Sequence, residues 1–238
     1  VRMVQGDTLT LVSKYAFYDG NEQMAEARHE VVLTHRRQKL YTDSLNYDRL
    51  YNIGYFFEGG KLVDGNTTLT SDWGEYHTDT RMAVFNYNVR LRDKKMLLTG
   101  DTLYYDTGKS LAHAVGPSVI KSGASTINTE DGYYNTKTEQ SEMYGRSVMN
   151  DGGKTLIGDS VYHDSKKDIS EAFGNVVYVD TVNKNKLTSD YGWYDGEKGY
   201  AMVTKRAVAI DYSQQDSLFM HADTFKIFTF NINTDSVY

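Results

Sequence analysis

The 238-residue chain has no cysteine, a single proline and no apolar run of membrane-spanning length. The first absence excludes a disulfide scaffold and any thiolate metal site, while leaving the redox compartment open. The lone proline, Pro117, stands beside Gly116, where a bulge or strand edge tolerates a residue that cannot donate to a ladder. The absence of an apolar span or a signal-like leader fits a mature or trimmed soluble form. Positive charge is scarce too. The formal net charge is −6, and the one basic cluster, Arg36-Arg37-Gln38-Lys39, reads as a solvated turn, so no nucleic-acid partner is expected. Helical periodicity is missing, since no long segment spaces its apolar residues three and four apart.

What the chain does have is repetition. Asp43, Asp72, Asp101, Glu130 and Asp159 follow one another at intervals of 29 residues, and Asp190 and Asp223 continue the series at slightly longer steps. Three residues before each anchor stands an apolar residue: Leu40, Leu69, Leu98, Ile127, Leu156 and Leu187, with Leu11 before Lys14 and Met220 before Asp223. Four residues after it stands an aromatic in most copies: Tyr18, Tyr47, Tyr76, Tyr105, Tyr134 and Tyr194, with His163 replacing tyrosine once. A turn-former follows, such as Asp19, Asp48, Asp106, Asn135, Asp164 or Asp195, so an aromatic closes one strand and a turn begins. Thirteen residues past the anchor runs a second apolar column of Ala27, Phe56, Phe85, Ala114, Met143, Ala172 and Val203. The row one residue earlier holds Glu26, Tyr55, Val84, His113, Glu142, Glu171 and Met202, so one face is dry and the other largely wet.

Each repeat thus supplies about two strands, and an isolated hairpin cannot bury its own apolar face. Stacking solves this, and it predicts an all-β protein built from repeats of about 29 residues, with one domain over residues 1–238 that is open to being part of a longer chain. Equivalent side chains are expected about 4.8 Å apart along the stack. Two rails result. Leu40, Leu69, Leu98, Ile127, Leu156 and Leu187 form one, and Phe56, Phe85, Ala114, Met143, Ala172 and Val203 form the other. If the rails face each other they enclose a long apolar interior, which is either a packed core or a groove for an alkyl ligand.

The segments Leu98-Thr-Gly-Asp101, Ala112-His-Ala114-Val-Gly116-Pro-Ser-Val119, Met143-Tyr-Gly145-Arg-Ser-Val148 and Glu171-Ala172-Phe-Gly174-Asn-Val176 share a pattern of an acid-containing opening and an A-x-G-x-V ending. This pattern resembles the OstA/LptA family of lipopolysaccharide-transport proteins, and the tyrosine-rich repeats are most similar to OstA-like proteins of the Bacteroidetes type. The resemblance implies an elongated, open, twisted β-jellyroll of two antiparallel sheets. It also implies a periplasmic location, or association with the outer membrane, and a cargo of lipopolysaccharide or a related glycolipid whose acyl chains lie in the groove. No catalytic group, metal or cofactor is needed for such a carrier. The open ends of a jellyroll leave unpaired strands. Other jellyroll components, or further copies of the chain, are expected to add there by strand pairing, near Leu9 to Tyr18 and near Leu218 to Phe230. The terminal Phe228-Thr-Phe230-Asn-Ile-Asn has strand character as well.

Other function classes compete with this reading. A polysaccharide-active enzyme on a β-solenoid would use His113, Glu142 and Glu171 stacked on the outer face, with carboxylates about 5 Å apart as in a retaining glycosidase. Neither a pocket nor a third positioned group accompanies them. Calcium requires several oxygens from one loop, and the anchor acid comes once per repeat. A membrane barrel is at odds with Lys94-Lys95 and Lys166-Lys167-Asp168 interrupting the strands. A structural or adhesive repeat filament without ligand differs from a carrier in having a solidly filled interior.

Overall fold

The computed structural model describes residues 1–228, with every side chain in that span except that of Asp151. The described residues contain no helix. They divide into two compact units, Val1–Lys137 and the described residues from Thr138 onward. In unit 1 the strands are β1 (Arg2–Gln5), β2 (Leu9–Val12), β3 (Tyr15–Asp19), β4 (Met24–His35), β5 (Gln38–Asp48), β6 (Ile53–Phe56) and β7 (Gly60–Asp64). They continue with β8 (Thr67–Ser71), β9 (Trp73–His77), β10 (Met82–Asp93), β11 (Met96–Asp106), β12 (Leu111–Ser122) and β13 (Ser125–Asn135). Unit 2 holds β14 (Gln140–Asp151), β15 (Lys154–Asp164), β16 (Ile169–Asp180), β17 (Asn185–Asp195), β18 (Tyr200–Asp211) and β19 (Leu218–Phe228). Every recorded pairing is antiparallel, so the all-β repeat fold expected from the sequence is found.

The hairpin turns follow from the acids after the closing aromatics. Asp106 Oδ1 accepts from the amides of Gly108 and Lys109, and Asp48 and Asp164 cap their turns in the same way. Halfway along each long strand the ladder breaks. Between β10 and β11 the register jumps from Asn86 to Val89, and Tyr87 and Asn88 both take positive φ, so two residues oppose the single Asp101. The anchor acids stand opposite these bulges. The Glu30 amide donates to Asp43 Oδ1 at 3.2 Å, Asn175 Nδ2 to Asp159 Oδ2 at 2.7 Å, and Arg206 Nε to Asp190 Oδ2 at 2.8 Å. These acids therefore hold the bends in β4, β16 and β18.

Bending every strand at its middle produces two layers. In unit 1 one layer runs through β3, β6 and β9 with the adjoining halves of the long strands, and the other runs through β1, β2, β7 and β8 with the remaining halves. Their inner faces meet: a Cβ on Gly54 in the first layer would stand 3.1 Å from Leu33 Cδ2 in the second.

The rails are real but denser than the spacing argument allowed. Leu11, Leu33, Leu40, Leu62, Leu69, Leu91, Leu98, Ile120 and Ile127 stand opposite one another strand by strand. Because each repeat contributes two strands, Leu40 and Leu69 are separated by Leu62. Same-column residues therefore recur at about 9.6 Å, twice the expected step. The expected N-terminal edge also needs correction. Leu9–Val12 pairs with β1 on one side and β4 on the other, so among the described residues the free edges are β1 and β3. At the other end, among the described residues, β19 pairs with β18 alone. Thr229, Phe230 and the rest of the terminal strand-like segment lie outside the described residues.

Candidate functional site

The second rail decides where there is room inside. In unit 1 it runs Leu45, Phe56, Gly74, Phe85, Leu103, Ala114 by direct cross-strand pairing. Gly74 sits between two phenylalanines, and the rings occupy the space over it: a Cβ there would stand 2.5 Å from Phe56 Cζ. Phe56 and Phe85 lie 6.1 Å apart between ring centroids and are both buried. Leu40, Leu69, Leu98, Ala114 and Ile127 are buried around them, so the expected groove is filled by side chains here, while a separate opening of about 450 Å³ lies at the N-terminal end of unit 1, lined by Leu9, Leu11, Tyr18, Ala25 and Tyr47.

Unit 2 repeats the arrangement with smaller residues. Gly192 of β17 is flanked by Ala172 and Val203, the counterparts of Phe56 and Phe85. With both rings missing, an apolar cavity of about 130 Å³ opens between the layers. Leu156, Leu187 and Val203, all expected groove residues, line it together with Val176, Tyr178, Trp193, Tyr194 and Ile227. Met143 and Ala172 are buried but do not line it. Tyr178 takes the leucine-rail position between Leu156 and Leu187. Burial, and then the Asp180 carboxylate 3.4 Å from its hydroxyl, push its pKa up, so it remains a neutral phenol.

The turn edge of unit 1 carries a feature that the periodicity alone did not reveal. Tyr76, Tyr105 and Tyr134 were expected only to close strands. Their hydroxyls cross to the facing layer: Tyr76 to His35 Nδ1 at 2.8 Å, Tyr105 to Asp64 Oδ2 at 3.2 Å, and Tyr134 to Asp93 Oδ2 at 3.2 Å. His35, Asp64 and Asp93 are themselves spaced by 29 residues, a column that was open to view in the sequence. Asp64 is further held by Arg37 Nε at 2.7 Å and by Gln38 Nε2 at 3.2 Å. In unit 2 the column continues at Asp180, which is held mostly from its own strand and turn. Its carboxylate accepts from the Val182 and Asn183 amides, from Asn183 Nδ2 and from Tyr178.

The outer-face residues considered for catalysis are placed differently from expectation. Glu142 and Glu171 both pair with Tyr162, one on each side. An intervening strand thus puts their backbones about 9.6 Å apart rather than 5 Å. Glu142 accepts from Tyr144 Oη at 2.8 Å and Glu171 from Tyr191 Oη at 2.7 Å. His113 stacks on Tyr133 with centroids 4.1 Å apart and bonds Asp131. Each is held in a local surface pair.

The sequence profile of the family described as OstA-like protein matches residues 1–101 and 135–222. The chain belongs to the OstA-like family. Curated proteins offer no match to the sequence. Among solved structures the chain is similar to LptH, the LptA-homologous periplasmic component of the conserved lipopolysaccharide transport device from Pseudomonas aeruginosa, at 14% identity. That likeness covers 60% of this chain and 81% of LptH with a TM-score of 0.25, and no argument rests on a likeness so distant. The matched stretches contain members of every column described above, while Tyr105, Ala114, Ile127, Glu130 and Tyr134 fall between them.

Proposed function

We propose that this OstA-like chain acts as one carrier domain over residues 1–238, a periplasmic lipid carrier or bridge that shields the acyl chains of lipopolysaccharide or a related glycolipid on the way to the outer membrane. The observation that carries the reading is the apolar cavity between the layers of unit 2, lined by rail residues of a chain in this family. Each buried methylene contributes roughly 0.8 kcal/mol, so a sheltered apolar interior lowers the cost of moving a tail through water. The chemistry asks for no catalytic group and no cofactor; transport along the chain is driven by another component.

The end strands supply the contacts to neighbours. On β3 the side chains of Tyr15 and Phe17 are exposed, and on β19 those of Leu218 and Phe219 are. Unpaired edges with exposed apolar side chains suit strand addition by other jellyroll components or by further copies of the chain. The test is photocrosslinking in cells from probes at Phe85, Leu98, Met143, Leu187 and Val203. Adducts with lipopolysaccharide at any of these interior positions are expected. Their absence at all five, in protein that folds, refutes the carrier reading.

A further inference from the structure

A lipid held between the layers leaves the outer face of unit 2 free. One layer of that unit is formed by residues 140–144 of β14, 160–164 of β15, 169–173 of β16, 191–195 of β17 and 200–204 of β18. Met143, Val161, Ala172 and Val203 of these segments are buried, so the alternate residues point outward. Across the strands one outward row runs Glu142, Tyr162, Glu171, Trp193 and Met202. The neighbouring row runs Tyr144, Ser160, Phe173, Tyr191 and Thr204. Rings and carboxylates thus alternate on one sheet face. The outer face of the other layer has Val148, Ile157, Val177, Thr188 and Val208 in register. Such β-branched residues already suit a half-buried strand, so strand stability does not call for the rings on the first face.

The rings are exposed and held in place. Tyr144 and Phe173 are 42% and 44% exposed. Tyr144 Oη and Tyr191 Oη donate to Glu142 and Glu171, which orients the side chains before any ligand arrives. Each carboxylate keeps lone pairs for further donors. Tyr162 stands between both glutamates in register, and two strands separate it from Trp193, about 9.6 Å. Burial, and then Asp164, Glu171 and Glu142, raise the Tyr162 pKa, so it stays a neutral phenol. At the turns Lys166, Lys167 and Lys198 are paired with Glu139, Asp164 and Asp195. A cation on the face itself, Lys226, stands on the edge strand β19 beyond Met202. The centre of the face therefore presents flat rings and hydrogen-bond acceptors.

We propose that this face binds an uncharged polysaccharide strand laid across β14 to β18, with sugar rings resting on Tyr162 and Trp193 and sugar hydroxyls donating to Glu142 and Glu171. The slightly positive C–H groups on the face of a sugar ring suit the negative face of an aromatic ring. In an extended glycan every second sugar turns the same face to one side, which matches rings on every second strand. An anionic glycan would set its own carboxylates against the two glutamates, and a basic peptide would have no use for rings at this spacing.

The full chain carrying Trp73→Phe is titrated with cellohexaose and with chitohexaose while Trp193 fluorescence is followed. A saturable change at millimolar sugar is expected with one or both. Tyr162→Ser, in protein that keeps its cooperative thermal transition, should weaken binding about tenfold. Glu142→Gln with Glu171→Gln keeps the size of both side chains, and this variant should bind hexagalacturonate, which the wild type rejects. Tyr41→Ala removes an exposed ring of unit 1 and should change nothing. The proposal is overturned by the absence of a saturable change with both neutral sugars, by equal affinity in Tyr162→Ser and Tyr41→Ala, or by hexalysine binding more tightly than either sugar. An absence of lipid adducts in the crosslinking experiment removes the carrier reading and leaves this face untouched, because none of the five probed positions lies on it.

Discussion

The bond between Tyr105 and Asp64 gives the sharpest test of how the layers are held. Tyr105 is fully buried, and its hydroxyl donates to Asp64 Oδ2 at 3.2 Å from the facing layer. A hydrogen bond to a charged group contributes roughly 1.5–3 kcal/mol. Asp64 keeps Arg37 and Gln38 when the hydroxyl is removed, so Tyr105→Phe should lie at the low end, about 1.5 kcal/mol. Asp64→Ala should cost more, because it removes the bonds from Tyr105, Arg37 and Gln38 together. The double variant should then cost less than the two singles together, with a coupling of about 1 kcal/mol. Urea unfolding followed by Trp73 in a Trp193→Phe background reports on unit 1 by itself. There is a linked signature at high pH. Burial raises the Tyr105 pKa from 10.0 to about 12. The folded state thus holds a proton that the unfolded chain releases, so this stabilisation is complete below pH 10 and is lost as pH climbs towards 12. Tyr105→Phe should flatten that part of the alkaline profile. A coupling under about 0.3 kcal/mol would refute the brace.

Two further outcomes are expected. Burial lowers the His163 pKa below 6.5, and His35 is lowered in the same direction by burial and by Arg36 and Arg81. The unfolded chain binds these protons first, so stability is present above pH 6.5 and declines as pH falls below it. His163→Tyr, which restores the residue found in the other copies, should reduce the loss of thermal midpoint between neutral and acidic buffer; an unchanged loss contradicts the assignment. Gly60→Ala should destabilise unit 1 by about 1–3 kcal/mol, because its Cβ would stand 2.5 Å from Phe56 Cδ2. The urea midpoint should recover in a Phe56→Leu background, and a neutral Gly60→Ala would mean that the ring has room to move.

Much of the fold was legible because one column suffices to set a repeat. The acids at Asp43, Asp72, Asp159 and Asp190 announced their spacing, and the structure assigns them a task, the bulge. Even the exception is explained. Lys14 breaks the acid column, and the residue it meets at its bulge is Glu30, so the charges are exchanged and the pairing kept. The interleaved column Leu33, Leu62, Leu91 and Ile120 has the same spacing, and overlooking it caused the twofold error in the step along the rail. The tyrosine braces were harder to foresee. Each joins residues 41 apart, which is not a multiple of the repeat, and nothing in periodicity says which columns face each other once the strands bend.

The cavity lay between these cases. Phe56, Phe85, Ala172 and Val203 were all visible as members of one column, yet volume in one column means nothing until the residue opposite is known. The register supplies it. Gly74 and Gly192 are the partners, so in one unit two rings converge on a glycine and in the other a methyl and an isopropyl group do. Close packing leaves no slack to hide that difference, because a lost ring is either replaced by a neighbour moving in or left as space. Over Gly192 both happen: Val176 Cγ1 comes within 3.3 Å of where a Cβ would stand, and the remainder is left as the cavity. A chain of repeats thus contains its own control: the filled stretch around Gly74 shows what the one around Gly192 lacks, and returning one ring at Val203 separates an interior kept open for a ligand from a core that is only loosely packed.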